Sequence, residues 1–148
     1  MNNRNTAYVS LRTLVELTLE TQVLVLQNKK YIPPRSWINE FCTVKWGGPR
    51  RIGHTANGIR LLREDITPKP ALWVAPRDVM IPSQVRTEEL AYAVSILGIP
   101  ERLMGWRCRT VIVDVSSLLS QSQTDQLLDV LAQGVLDTRE QAIVLFLE

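Results

Sequence analysis

Five cationic side chains, four glycines and the chain's sole histidine fall within residues 45–63, KWGGPRRIGHTANGIRLLR. The cations are Lys45, Arg50, Arg51, Arg60 and Arg63, and no acid intervenes before Glu64 and Asp65. Glycine lets backbone N–H groups come close to a ligand, and the guanidinium fork matches phosphate and carboxylate alike. The segment therefore suits an anion. Gly47, Gly48, Gly53 and Gly58 would expose amides, the arginines would neutralise charge, and Trp46 would offer a stacking surface to a base. It holds no GxxxxGK[ST] phosphate loop, because the Gly53–Gly58 spacing lacks the Lys-Ser/Thr ending. The same residues also read as a solvated loop whose arginines pair with acids elsewhere in the fold. Lys45, Trp46, Arg50, Arg51, His54, Arg60 and Arg63 are the candidates for binding an anion or a protein partner.

Other chemistry is thinner. One histidine cannot build a two-His metal site, and neither Cys42 nor Cys108 sits in a nucleophile motif or a CxxC pair. A His54–Asp114–Cys constellation would have to be assembled in space, and a surface or structural histidine is the favoured reading. Asp114, near the end of the run Val111-Ile-Val-Asp-Val115, stands where parallel sheets place ligand-binding groups, with Ser116 and Ser117 behind it. A metal there needs a second carboxylate, and Asp78 is the only placed candidate. The competing role for Asp114 is to cap the turn that follows. No cofactor, metal site or catalytic residue is expected. Four tryptophans are many for 148 residues. Two should be core, and Gly-Trp106-Arg107-Cys-Arg109 has the look of an interface, so Trp106, Arg107 and Arg109 form a second candidate surface.

The elements that must hold these residues are uneven in clarity. Residues 8–28 carry Leu11, Val15, Leu19, Val23 and Leu26 at helical spacing, but also an alternation from Val15 to Val25 typical of a strand. A helix giving way to a strand near Thr21 is expected. Pro33 and Pro34 end it, and Ser36 should cap a short helical turn with Trp37 and Phe41 one turn apart. Thr43–Trp46 reads as a strand, Asn57–Arg63 as a short helix or strand, and Leu72–Ala75 as a strand between proline-rich turns. Thr87 with Glu88 and Glu89 signals a helix start, with Leu90, Val94 and Leu97 as its stripe and Gly98 as its stop. Thr110–Val115 and Ala142–Leu147 are buried-type strands. Between them a helix capped by Ser122 or Thr124 carries Leu127, Leu128, Val130 and Leu131 and stops at Gly134. Strand, helix and strand make a β-α-β unit with parallel strands. The apolar terminal run to Leu147 would be open to pairing with another chain if it lay at an edge.

The expected class is α/β or α+β: a single compact domain over residues 1–148 with the β-α-β unit in a small parallel or mixed sheet. Apolar content of 45% and charged content of 22% are globular values. No uncharged apolar run is long enough for a membrane helix, and the first residues lack a signal-peptide pattern. The two cysteines fit reduced, partly buried thiols in a cytoplasmic protein better than a disulfide. The net charge of +2 hides asymmetry: residues 1–70 hold 11 basic and 5 acidic groups, residues 71–148 hold 6 and 10. These features favour a non-enzymatic interaction or regulatory protein, a small subunit binding protein partners or itself. The alternative is a nucleic-acid-binding protein contacting phosphates through residues 45–63. An enzyme working around Asp114 is a third reading, and no membrane partner is expected.

Overall fold

Alternation and helical spacing compete over the first element, and the helix wins outright. In the computed structural model, which describes residues 3–28, 31–47, 54–99, 103 and 105–148, α1 runs unbroken over Asn3–Gln27. The threonines that suggested a strand turn inward on the helix itself. Thr13, Thr18 and Thr21 donate their hydroxyls to the carbonyls of Val9, Leu14 and Leu17, each one turn back, at 2.8–2.9 Å. Near the expected break the helix is pinned from outside. Gln22, fully buried, donates to the carbonyls of Phe41 and Ala142 and accepts from the Ala142 N–H. A buried amide satisfied on both ends holds its backbone in place.

Five strands follow: β1 Thr43–Trp46, β2 Ala71–Ala75, β3 Tyr92–Ser95, β4 Thr110–Val113 and β5 Ile143–Leu147. They form one sheet in the order β1-β5-β4-β2-β3, parallel at every pairing. β2, β4 and β5 are buried at every residue, which is why they read as unbroken apolar runs. Two cores lie on opposite faces. On one, α1, α3 (His54–Arg63) and α4 (Ser83–Thr87) cover Trp73, Ile112 and Leu145. On the other, α2 (Pro34–Trp37) with its wide continuing turn Ile38–Cys42, residues from 96–108, and α5 (Gln121–Val130) cover Leu72, Val113 and Val144. Counted from β2, the order becomes 2-1-3-4-5, a common doubly wound order whose last strand here comes first in the chain. β2 hands on to α4 on one face and its neighbour β4 to α5 on the other, so the carboxyl ends of β2 and β4 flank the switch point.

The expectation of an α/β or α+β fold holds, and where a mixed sheet was one of the alternatives every strand pairing is parallel. Four further local expectations change. Tyr92–Ser95 is strand rather than helix: α4 ends at Thr87, Glu89 takes a left-handed conformation (φ 51°), and the Leu90 N–H reaches back to the Val85 carbonyl. The chain then emerges beside buried β2, whose open side needs a hydrogen-bonded partner. α5 is capped by Ser120 rather than Ser122 or Thr124, through a reciprocal pair of bonds with Gln123. α2 starts at Pro34, not Ser36, though Trp37 and Phe41 do meet, with ring centroids 4.9 Å apart. β5 is not an edge but lies between β1 and β4, so its backbone is already paired. Among the described residues no helix is long and apolar enough to cross a membrane.

Candidate functional site

The carboxyl edge of the sheet is where the chemistry-bearing residues converge. β4 delivers Asp114 to that edge, and the N-terminal turn of α3, arriving from β1, lies against it. Asp114 is 2% exposed. Its Oδ1 accepts from the Thr55 hydroxyl at 2.9 Å and from the Val115 N–H at 3.0 Å, and Thr55 lies 3.1 Å from Oδ2. Burial pushes the Asp114 carboxyl above the usual aspartate range, against the opposing pull of Thr55, the Val115 amide and nearby His54. Val115 itself adopts φ 49°, ψ 45°, a left-handed conformation that a β-branched residue rarely takes. The kink turns the chain off the sheet into the short turn Ser116–Leu118. Asp114 thus anchors α3 to the sheet and holds the Val115 amide, while the turn Ser116–Leu118 itself has no side-chain cap, contrary to the capping reading. Its oxygens are engaged by those neighbours and closed to solvent.

Below Thr55 the helix comes unusually close to the strands. A side chain at Gly58 would place its Cβ 2.8 Å from Leu147 Cδ1 and 3.2 Å from the Trp73 ring. Glycine here serves close packing, not an exposed amide for a phosphate. The indole nitrogens of Trp46 and Trp73 and Nε2 of His54 are buried without hydrogen-bond partners among the described residues.

The basic candidates do not gather into one patch among the described residues. Arg60 lies over the Tyr8 ring at 3.9 Å, bonds Glu64 and reaches Asn5. Arg63 pairs with Glu88, folding back onto the acidic half of the chain. Tyr8 donates to Glu64 at 2.6 Å, and burial together with that carboxylate raises the phenol to about 12. Lys45 lines a polar groove of about 450 Å3 with Arg35, Thr43, Ser116, Gln121 and Glu148, and has no ion-pair partner among the described residues. Trp46 is half-buried beside it, and Arg50 and Arg51 lie outside the described residues.

Trp106, Arg107 and Arg109 sit at the opposite, amino end of β4. Trp106 is half-buried against Tyr92, 5.2 Å between centroids, and Arg109 donates to the Gln141 carbonyl at 3.0 Å and approaches Glu140. Arg107 is exposed beside a shallow cavity of about 280 Å3. Asp78 lies in the exposed turn after β2, apart from buried Asp114. Among the described residues no three His, Cys, Asp or Glu side chains are grouped to hold a metal ion. Cys42 and Cys108 are free and buried, and burial raises both thiols to about 12, which leaves them protonated and inert.

Two surfaces escaped sequence reasoning. The first is the outer side of α1, where Leu14, Leu17 and Leu24 are exposed. The second is a groove of about 500 Å3 at the carboxyl edge, lined by Pro76, Arg77, Met80, Ile96, Leu97, Leu118, Leu119 and Gln123. Their large apolar residues are scattered leucines, an isoleucine and a methionine, which look in sequence like any other core position. Compared with known proteins, the chain matches no family model, no curated protein and no solved structure.

Proposed function

We propose that the chain is a non-enzymatic interaction protein that associates with a second copy of itself through the outer face of α1. The observation that carries this is the run Ser10, Leu14, Leu17, Thr21, Leu24. These residues alternate in steps of four and three, the spacing of a seam between two helices. They point away from the face formed by Tyr8, Leu11, Val15 and Leu19, and none is charged. Leu17 and Leu24 are 55% and 65% exposed. An antiparallel copy would set Leu14 against Leu17 and Ser10 against Thr21, so the face complements itself. A helix of 25 residues is roughly 37 Å long. With a seam about 10 Å wide, the contact removes on the order of 700 Å2 in total, below the roughly 1,000 Å2 of a stable interface. The dimer is accordingly weak and concentration-dependent.

Sedimentation over a wide concentration range tests this. The wild type should shift towards dimer as concentration rises, and a Leu17→Lys, Leu24→Lys variant should stay monomeric. A wild type that remains monomeric at the highest concentration defeats the proposal. A reducing, cytoplasmic setting belongs to the same reading and is supported by the two unbridged thiols.

Nucleic-acid binding is the second reading, favoured by Lys45, unpaired among the described residues, beside a polar groove. It is weakened by Arg60 and Arg63, whose charges Glu64 and Glu88 already answer. It requires binding that weakens steeply with salt, with a shallower slope in Lys45→Ala. Undetectable binding to DNA or RNA at low salt removes it.

A further inference from the structure

The groove at the carboxyl edge is built from three loops that follow three adjacent strands. Pro76, Arg77 and Met80 come after β2, Ile96 and Leu97 after β3, and Leu118 and Leu119 after β4. In open α/β sheets this edge, at the switch point, is where ligands bind. The walls are apolar and open. Leu97 is 80% exposed, Leu118 is 61% exposed, and Val79, next to the lining Met80, is 88% exposed. Two large apolar side chains this exposed, meeting at one groove from separate loops with Val79 exposed beside it, mark a surface that a partner covers. Charge states what kind. Among the lining residues Arg77 carries the only charge, and its guanidinium has no hydrogen-bond or ion-pair partner among the described residues. An unpaired guanidinium on the rim of an apolar groove complements a carboxylate flanked by apolar side chains.

We infer that this groove docks a segment of a partner protein in which an acidic side chain stands beside apolar anchors. The anchors fill the space between Leu97, Leu118 and Met80, and the acid meets Arg77. This goes beyond pairing through α1, which uses the helix on the other side of the sheet's edge and different residues.

A random dodecapeptide library displayed on phage, panned against the full chain, tests the inference. Enriched sequences should place Asp or Glu next to Leu, Ile, Phe or Met. The best binder, synthesised and titrated by fluorescence anisotropy, should lose about tenfold or more in affinity to Arg77→Glu and to Leu97→Lys. Replacing its acid by lysine should recover binding to Arg77→Glu. Circular dichroism on both variants checks that the fold is retained, as expected for exposed positions. The inference is overturned by no enrichment, by enriched peptides without an acid, or by affinity that neither variant changes. It is also overturned if Leu97→Lys disperses a dimer that Leu17→Lys, Leu24→Lys leaves intact, since the groove would then hold a second copy. Failure of α1 pairing alone, with peptide binding retained, would leave this inference standing.

Discussion

Two neighbouring corners of the sheet's carboxyl edge are finished in opposite ways. At one, α3 closes down on β4 and β5: Thr55 and the Val115 amide occupy the Asp114 carboxylate, and Gly58 lets the helix backbone approach Trp73 and Leu147. At the other, Leu97 and Leu118 stand in solvent around a groove whose one charge, on Arg77, is unanswered among the described residues. Burying a carboxylate is costly unless it is hydrogen-bonded, and at the first corner Asp114 finds its donors, Thr55 and the Val115 amide, within the chain. Exposed apolar side chains carry a milder penalty and can wait for a partner. The closed corner should therefore respond to substitution through stability, and the open one through binding.

The largest effect is expected at Gly58→Val, whose branched side chain enters the contact with Leu147 and Trp73. Overpacking of this kind costs about 1–3 kcal/mol, read as a lower urea midpoint at unchanged slope. Wild-type stability in that variant would show a looser corner than the structure has.

Next comes Asp114. Asp114→Ala leaves the Thr55 hydroxyl and the Val115 N–H without their acceptor and should cost about 1–3 kcal/mol. Asp114→Asn keeps an acceptor oxygen but removes the charge, and its signature lies in pH dependence. Burial raises the folded-state carboxyl above its unfolded value, so between those two values the folded chain holds more protons than the unfolded one. Stability contributed at this site consequently falls as pH rises through that window and stays lower above it. The difference between Asp114→Asn and wild type, measured by urea unfolding, should move in the variant's favour from acid to neutral pH. The subtraction cancels Glu64, Glu88 and Asp137, whose lowered carboxyls act in the opposite sense. A difference that moves against the variant over that range would contradict the assignment.

The smallest stability effect is expected at the open corner. Leu97→Lys and Leu118→Lys should each stay within about 0.5 kcal/mol of wild type, as exposed positions do. A loss of several times that would make the groove part of the core and erase the contrast.

How much of this was legible beforehand varies with burial. The runs around β2, β4 and β5 are apolar apart from Thr110 because both faces of the sheet are covered, and they were readable as strands. The β-α-β unit followed from them. The stretch around Val94 was misread because Thr-Glu-Glu is a sound helix start locally, yet β2 lay beside it with an unpaired edge. The Ser120–Gln123 cap was present in sequence but overshadowed by two other hydroxyl residues. Among site residues, Asp114 was placed correctly at a strand end, but its partner Thr55 is 59 positions away and carries no local mark. Whether Arg60 and Arg63 were free or paired stayed open in the sequence: Arg60 meets Glu64 four positions on and Tyr8 far back in the chain, and Arg63 meets Glu88, 25 positions away.

Periodicity and composition alone determined that this chain mixes helix and strand, α/β or α+β, with a β-α-β unit of buried strands near its end, since burial on both faces forces a continuous apolar pattern. Tertiary structure decided the rest: that α1 stays helical throughout, that β5 is interior, and which charges are already paired. It also separated the leucines that are core from those left at the surface. Those outcomes depend on contacts between residues far apart in the chain, and short-range pattern cannot encode which of two chemically equal side chains will find a neighbour.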